Sequence, residues 1–353
     1  HIDIVDYPGE WLLDLPLLDL TYEDWSRDAV ARSHDAARNP AAKAWQEALA
    51  QTDPASPADE ARAATLSDLF KAYLHGARAD QYALSTMPPG RFLMPGDLEG
   101  SPALTFAPLD AKTETSFARD TLRSLMERRY EAYKRHVIRP FFRDHFARLD
   151  RQIVLIDVLS ALNGGPAAMN DLERAMREIL ECYRTGSNSL WSTLFYPRID
   201  RIVLAATKAD RLHHESHDRL EAILSLLAAN AIEKAQHHGS DVKSLAMAAI
   251  RATREAEAKK DSETLPCIVG YPLPGEKIGN RTFDGTEAFA IFPGDLPVDP
   301  QEAMSGWKTV DADVSFVRFR PPDPQPLSSG GFAPFPNIRL DRAMQVLLGD
   351  RLT

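Results

Sequence analysis

The sequence predicts an α/β fold with a parallel sheet of the doubly wound type, and two observations support that prediction. Near-continuous apolar runs occur at residues 152–159, 199–206 and 244–250. Runs without polar alternation are typical of parallel strands that are buried on both faces. Helical patterns lie between these runs, at residues 170–184 and 218–236. Strands that alternate with helices in this way indicate crossover connections and therefore a parallel sheet.

The N-terminal residues add a further predicted strand. Residues 2–5 are rich in β-branched side chains, end on Asp6 and are followed by Pro8 and Gly9. The strand is expected to deliver Asp6 to the carboxyl edge of the sheet, where open α/β sheets bind ligands.

The spacing Asp-x-x-Gly has a specific use in a nucleotide-binding sheet. The Asp6 carboxylate would reach a phosphate-bound magnesium ion through a water molecule, and Gly9 would let its backbone N–H approach the terminal phosphate. Glu10 would then lie where an attacking water is oriented. An ordinary turn after a strand explains the same residues without any ligand.

Length and composition limit the class of protein. The chain has 353 residues, 44% hydrophobic and 26% charged, with a net charge of −10. This charge argues against a general nucleic-acid binder, since phosphate binding needs clustered cations. With only Cys182 and Cys267 there is no disulfide framework, so a reducing, cytoplasmic location is expected. No secretory signal or run long enough to span a bilayer occurs, although peripheral membrane contact stays open.

Residues 11–150 are predicted to form a mostly helical insertion. Helical patterns cover residues 22–49 and 61–76, and Asp59 or the residues before it can start the second pattern. A Pro- and Gly-rich loop follows at residues 87–96.

Arginines and aromatic residues alternate at helical spacing across residues 119–151. The simpler interpretation is that the aromatic side chains pack inward and the arginines lie on a solvated face, paired with nearby carboxylates. The alternative is an arginine-rich face for a nucleotide phosphate, an anionic membrane or a protein partner.

The most informative motif is Thr207-Lys208-Ala209-Asp210, which directly follows the apolar run at residues 199–206. Asp210 can accept hydrogen bonds from the ring N–H and the amino group of guanine, while the stem of Lys208 lies across the purine. Thr207 would brace this loop. Backbone N–H groups near Ile250 and Arg251 are weaker candidates for the guanine oxygen. A helix-start turn with Asp210 near the cap is the plainer alternative.

A second polar cluster, residues 213–217, contains His213, His214, Glu215 and His217. His213 and His217 have the i, i+4 spacing of metal ligands on a helix. A solvated helix start explains them more simply. Further along, residues 321–336 are predicted as a Pro-, Gly- and Ser-rich connection, and residues 340–348 as an amphipathic helix.

Several blocks together resemble the YcjX-like family of bacterial P-loop GTPases. They are residues 3–16, 89–92, 150–155, 205–210, 338–341 and 349–350. The resemblance spans essentially the whole chain. It implies a G-domain core with a helical insertion, GTP or GDP with magnesium as ligands, and a link to stress response. The implied segments are 1–10 (strand and Asp-x-Pro-Gly), 11–150 (insertion), 151–260 (rest of the G domain) and 261–353 (extended region and final helix).

One family feature does not occur in the sequence. The phosphate-binding loop Gly-x-x-x-x-Gly-Lys-Ser/Thr is missing, and the look-alike at residues 270–277 has Glu276 where the lysine should be. The loop is expected upstream of His1 in a longer protein, so this polypeptide alone is expected to bind and hydrolyse nucleotide poorly. The predicted activity is GTP hydrolysis. The alternatives are a nucleotide-switched protein that binds a partner through the helical insertion, and a pseudo-GTPase scaffold.

Overall fold

The computed structural model describes residues 2–78, 87–110, 117–181, 199–237, 239–260, 263–307 and 316–352. The chain divides into two compact units. The helical unit comprises His1–Leu149 and Asp171–Arg198, and the sheet unit comprises Asp150–Asn170 and Ile199–Thr353. The N-terminal residues are predicted to belong with the sheet, but the structure groups them with the helical unit. The C-terminal region is grouped with the sheet.

Helices dominate the helical unit. A ten-residue 3-10 helix, Gly9–Leu18, precedes the α-helices, and a π-helical segment, Lys134–Ile138, joins the last two. The α-helices are α1 (Tyr22–Ser33), α2 (Asn39–Ala50), α3 (Glu60–Ala77), α4 (Leu122–Tyr133) and α5 (Arg139–Asp144). Asp59 caps α3 as the sequence predicts, because its carboxylate accepts hydrogen bonds from the N–H groups of Ala61 and Arg62.

A cluster of aromatic side chains forms the core of the helical unit. Trp25 stacks on Tyr130 with ring centroids 5.0 Å apart, and Trp45 stacks on Tyr73 at 5.7 Å. Phe70 connects the two pairs, because its ring contacts Trp25 of the first pair and both Trp45 and Tyr73 of the second. Aromatic rings bury large areas and gain further from edge and offset contacts, so this cluster accounts for much of the unit's stability.

The arginine-rich helix is α4, and its aromatic residues do pack inward. Two cations of this arginine-rich segment, Arg123 and Lys134, are buried rather than solvated. The Arg123 guanidinium lies 4.1 Å from the centre of the Tyr22 ring and pairs with Glu127 at 3.1 Å. The Lys134 ammonium, just after α4, donates to the carbonyl of Leu20 at 2.8 Å. These contacts occupy both cations within the unit.

Residues 2–8 have no regular secondary structure, so the predicted N-terminal strand is wrong for this structure. Ile4 is 85% exposed, and no described strand pairs with this segment. The segment is instead held by aromatic contacts, because Tyr7 and Trp11 both pack edge-on against Phe141. A β-branched run forms a strand only where a neighbouring strand accepts its backbone hydrogen bonds.

The sheet unit is built on three parallel strands in the order β1-β2-β3. The strands are β1 (Arg151–Ile156), β2 (Arg201–Ala206) and β3 (Asp241–Ala246). They are in register, with Ile156 opposite Ala206 and Ala206 opposite Ala246. Their carboxyl ends therefore meet at one edge. The predicted α/β class with a parallel sheet is confirmed, although β1 and β3 each end earlier than the apolar runs suggest.

The remaining α-helices are α6 (Val158–Gly164), α7 (Pro166–Glu181), α8 (His217–Leu227), α9 (Ala229–His237), α10 (Pro300–Ser305) and α11 (Leu340–Leu348). From Asp171 on, α7 belongs to the helical unit. The helices α8, α9 and α11 pack against the parallel strands. The helix α11, predicted at these residues, packs Ala343 and Leu347 against Val203 and Ala205. The helix α8 lies against β2 and β3. Ile202 and Leu204 are also fully buried, as expected for a strand covered on both sides.

Two arginines tie the starts of β1 and β2 to the end of α11. Arg151 donates to the Leu347 carbonyl and to both oxygens of Asp350. Arg201 donates to the Val346 carbonyl at 2.6 Å and lies 3.2 Å from Asp350. The paired arginines lower the pKa of Asp350 to about 2, because they favour its ionised form.

Antiparallel strands make up the rest of the sheet unit. One sheet has the order β4-β5-β8 and a small hairpin pairs β6 with β7. The strands are β4 (Arg254–Lys260), β5 (Glu263–Gly270), β6 (Lys277–Ile278), β7 (Arg281–Thr282) and β8 (Phe289–Ile291). Among the described helices of both units, none has the length and apolar character required to cross a membrane.

Candidate functional site

The loop Thr207–Asp210 leaves the carboxyl end of β2 and is bonded to both neighbouring strands. The N–H of Thr207 donates to the Ile156 carbonyl at 2.9 Å, and its hydroxyl reaches the same oxygen at 3.2 Å. On the other side, the Ala209 N–H donates to the Met247 carbonyl at 3.1 Å. The loop is therefore fixed at the edge of the sheet where ligands of open α/β folds bind.

Lys208 has a backbone conformation that is uncommon for a residue with a side chain. Its φ is +64°, in the left-handed region. Its ammonium forms an ion pair with Asp157, and 41% of the side chain remains exposed. Asp157 directly follows β1 and caps α6, accepting from the N–H of Ser160 at 3.1 Å and from the Ser160 hydroxyl at 2.7 Å.

The electrostatics of Asp157 follow from these contacts. Burial alone would raise the pKa of its carboxyl group, but the hydrogen bonds and charge from Lys208 and Ser160 outweigh burial and lower the pKa. Asp157 is therefore ionised at neutral pH and able to hold the Lys208 ammonium.

Asp210 is buried, with 7% of the residue exposed. Its Oδ2 accepts from the Ala252 N–H at 2.9 Å, and its own carbonyl accepts from the Thr253 hydroxyl. Burial raises the pKa of Asp210, against the lowering effect of the Ala252 N–H and of Arg211. A carboxylate held in this way can accept hydrogen bonds from a planar ligand with paired N–H donors.

The segment after β3 differs from the sequence prediction, which extends the strand through Ile250. The strand ends at Ala246 because Ala248 turns to pair in antiparallel fashion with Ile338, with hydrogen bonds of 3.0 and 2.8 Å. The Arg251 N–H, predicted to be near a ligand oxygen, donates to the Pro336 carbonyl at 2.6 Å and is thus engaged within the unit. Ile250 is partly exposed.

Two histidines of the cluster beside this loop, His213 and His217, are buried, whereas His214 and Glu215 are exposed. His217 places Nε2 2.8 Å from the Ala209 carbonyl, so it supports the loop, and burial lowers its pKa. Donor atoms of His213, His214 and Glu215 lie within 4.8 Å of one another, but His214 already faces Glu255 at 3.0 Å.

The Asp-x-x-Gly residues lie in the helical unit. Asp6 and Gly9 are exposed, and Gly9 begins the 3-10 helix Gly9–Leu18. Glu10 is half-buried and pairs with Arg78 at 2.7 Å. A methyl group added at Gly9 would have no atom within 4 Å, so there is free space next to its backbone where a side chain would lie.

The sequence does not predict the roles of two residues beside the loop. The apolar run at residues 152–159 places Asp157 inside a strand, although an Asp that directly precedes a helix is also a cap signal. Thr253 carries no local signal, because its partner is the Asp210 carbonyl, 43 residues away.

Comparisons with known proteins agree with this architecture. A sequence model of the YcjX-like family (DUF463) matches residues 1–352. The chain is 35% identical over 359 residues to "Ras-like GTPase YcjX" of Escherichia coli (strain K12), covering 100% of this chain and 72% of that protein. It is 33% identical over 362 residues to "Ras-like GTPase YcjX" of Shewanella oneidensis MR-1, covering 100% and 70%. The name of these relatives fits the predicted G-domain-like α/β class, and the chain belongs to the YcjX-like family.

Proposed function

We propose that this protein binds guanine nucleotide at the carboxyl edge of its parallel sheet and hydrolyses GTP to GDP and phosphate. The observation that carries the proposal is the loop Thr207–Asp210, in which a buried carboxylate at the end of a central parallel strand has backbone N–H as its hydrogen-bond partner. Guanine offers two N–H donors on one edge, which adenine does not. The relatives' name, Ras-like GTPase, supports the same activity.

Each residue of the loop has a role in this proposal. Asp210 accepts from the guanine ring N–H and amino group, and the alkyl stem of Lys208 lies over the purine plane. Thr207 braces the loop through the Ile156 carbonyl. The segment at Ile250 and Arg251 borders the base, but the Arg251 N–H already donates to Pro336, so it is the weaker contact.

The phosphate end is assigned to the Asp-x-x-Gly residues. Asp6 is an exposed carboxylate, and its oxygen ligands are of the hard type that magnesium prefers, so it fits a role in assisting the ion. When bound, magnesium neutralises charge on the phosphate oxygens. Gly9 presents its backbone to the terminal phosphate. Glu10 orients the attacking water, and the Arg78 guanidinium offsets the charge of this carboxylate near the phosphates.

A nucleotide-switched interaction protein is the second candidate, and the Glu10–Arg78 ion pair favours it. A carboxylate engaged by a guanidinium at 2.7 Å is less available to orient water, which gives slow hydrolysis that times the binding of a protein partner through the helical unit. A cytoplasmic, stress-related role accompanies either candidate. A scaffold without nucleotide binding would contradict both.

Base recognition is tested by Asp210→Asn in the full-length protein. The asparagine amide presents a donor where guanine also has a donor, so we expect guanine nucleotide binding to weaken about 10- to 100-fold. Xanthine nucleotides carry an acceptor at that position and should be spared or bind more tightly. Isothermal titration calorimetry with GDP, XDP and ADP measures the three affinities.

The matched control is Asp241→Asn, an exposed carboxylate at the opposite, amino end of β3. It should leave all three affinities unchanged. Equal weakening of GDP and XDP by Asp210→Asn, or ADP binding as tight as GDP binding to the wild type, would remove Asp210 as the residue that selects the base.

Hydrolysis is tested by Glu10→Gln in single-turnover assays with GTP. If Glu10 orients the water, the rate constant should fall about tenfold or more while GDP affinity stays constant, since the amide is a poorer acceptor. Glu23→Gln on α1, an exposed carboxylate, is the control. An unchanged rate would assign Glu10 only to its ion pair with Arg78. Turnover that appears only after addition of cell extract would favour the switch over the enzyme.

A further inference from the structure

We infer that Asp157 is a positioning residue of the nucleotide site, which holds Lys208 so that its alkyl stem forms the surface on which the purine rests. The inference rests on the proposed guanine-nucleotide function and assigns to it a residue outside the Thr207–Asp210 loop. Asp157 does not touch the base in this proposal. It acts through Lys208.

The first support is the position of Asp157 in the sheet. It follows β1 directly, and Ile156 is opposite Ala206, so Asp157 and the Thr207–Asp210 loop leave neighbouring strands at the same level. The Thr207 N–H bond to the Ile156 carbonyl fixes the two chain segments together. An ion pair between Asp157 and Lys208 therefore spans adjacent strand ends at the edge where ligands bind.

The second support is that Asp157 is itself immobilised. Both carboxylate oxygens accept hydrogen bonds from Ser160, one from its N–H at 3.1 Å and one from its hydroxyl at 2.7 Å, so the side chain is fixed to the first turn of α6. The Oδ2 atom of Asp157 also accepts from the Lys208 ammonium. A fixed acceptor can hold a flexible lysine in one rotamer, whereas a mobile one cannot.

The third support is the backbone of Lys208. Among the described residues other than glycine, positive φ occurs at Lys208 and at Arg339. Strained backbone of this kind persists where surrounding contacts stabilise it, and such positions cluster at functional sites. Here the left-handed turn directs the lysine back toward Asp157 while 41% of its side chain stays exposed to receive a ligand. A lysine needed only for solubility would not require this geometry.

Preorganisation is the physical effect that Asp157 provides. A lysine side chain has several rotatable bonds, and a ligand that orders them loses affinity for the lost conformational freedom. Because Asp157 has already ordered Lys208, the purine contacts a stem that is in place. The contribution of Asp157 to nucleotide affinity should therefore be the same for guanine and xanthine, which present different groups to Asp210.

The test is a double-mutant cycle on the full-length protein, with GDP affinity measured by calorimetry. Asp157→Asn keeps a side chain that can cap α6 but removes the charge that holds Lys208. We expect a five- to tenfold loss of GDP affinity. Lys208→Met, which keeps an apolar stem without the ammonium, should show its own loss, and adding Asp157→Asn to it should cause little further loss.

Two additional measurements separate positioning from a general structural effect. The factor lost on Asp157→Asn should be the same for XDP in the Asp210→Asn background, and Asp157→Glu should restore part of the affinity. The matched control is Asp299→Asn, since Asp299 also caps a helix of the same unit, α10, by accepting from the Gln301 N–H at 3.0 Å. It should leave GDP affinity unchanged.

The outcomes are distinguishable from those of the proposed function. Absence of GDP binding by the wild-type protein would overturn the proposed function and this inference with it. If the wild type binds GDP and Asp210→Asn shifts selectivity toward XDP, then an unchanged affinity for Asp157→Asn overturns the inference alone. An equal loss from Asp157→Asn with and without Lys208→Met would also overturn it, because the two residues would then act independently.

Discussion

Replacing Gly90 with alanine is expected to destabilise the helical unit by about 3 kcal/mol or more, since overpacking against backbone is costly to relieve. An added methyl group would lie 1.7 Å from the carbonyl oxygen of Glu10 and 2.5 Å from its carbonyl carbon. Both are backbone atoms, so no side-chain rotation can make room. Either the 3-10 helix Gly9–Leu18 or the short helix Gly90–Phe92 must move.

That movement would also break a buried hydrogen bond. The Gly90 N–H donates to Asp14 Oδ1 at 2.7 Å, and a displaced loop would leave the carboxylate with one donor fewer. Urea denaturation followed by tryptophan fluorescence measures the effect, because Trp11, Trp25 and Trp45 all lie in this unit. Gly9→Ala is the matched control, since its methyl group would meet no atom within 4 Å. A loss at Gly90 no greater than that at Gly9 would contradict the close approach.

The second large effect is a fall in the stability of the wild type relative to Asp14→Asn as pH rises from about 4 to about 6. Asp14 is buried, and burial raises its pKa to about 6, in spite of hydrogen bonds from Tyr133 at 2.6 Å and from Gly90. In the unfolded chain the same group titrates near its ordinary value, about 3.9. Between these values the folded state binds the proton and the unfolded state does not.

The sign of the effect follows from this difference. The contribution of Asp14 to stability is fully present below about pH 4 and is lost as pH rises through the folded pKa of about 6. Two pKa units correspond to about 3 kcal/mol. Asp14→Asn, which is neutral at every pH, should remove this part of the pH dependence.

The measurement is the free energy of unfolding of wild type and Asp14→Asn at pH 4, 5, 6 and 7. Carboxylates with lowered pKa, such as Asp350 and Asp218, give the opposite slope, but they are present in both proteins and cancel in the difference. Asp19→Asn, an exposed carboxylate at the end of the same 3-10 helix, is the control and should follow the wild type. Parallel curves for wild type and Asp14→Asn would show that Asp14 is not the titrating group.

The parts of the fold that could be predicted are those encoded by local pattern. The helix Leu340–Leu348 and the cap at Asp59 follow from short-range spacing, and β2 follows from an apolar run that needs both faces covered. The loop Thr207–Asp210 could be placed because it directly follows that strand. These features require no knowledge of distant residues.

The parts that could not be predicted depend on distant partners. The run at residues 2–5 looks like a strand, but a local pattern does not show whether another strand is present to pair with it. The burial of Asp14 depends on donors 76 and 119 residues away along the chain. The sequence around Asp157 fits either the end of a strand or a helix cap. The structure shows that it is a cap, because β1 ends at Ile156.

The arginines at the starts of β1 and β2 have a consequence at the far ends of those strands. Each strand is six residues long, about 20 Å, and Asp350 links their starts through Arg151 and Arg201. A slip of one residue between the strands would shift Asp157 by about 3.3 Å relative to Lys208 and turn it to the opposite face. By linking the starts of the two strands, Asp350 helps to fix the alignment of Asp157 with Lys208 at their far ends, although it touches neither residue.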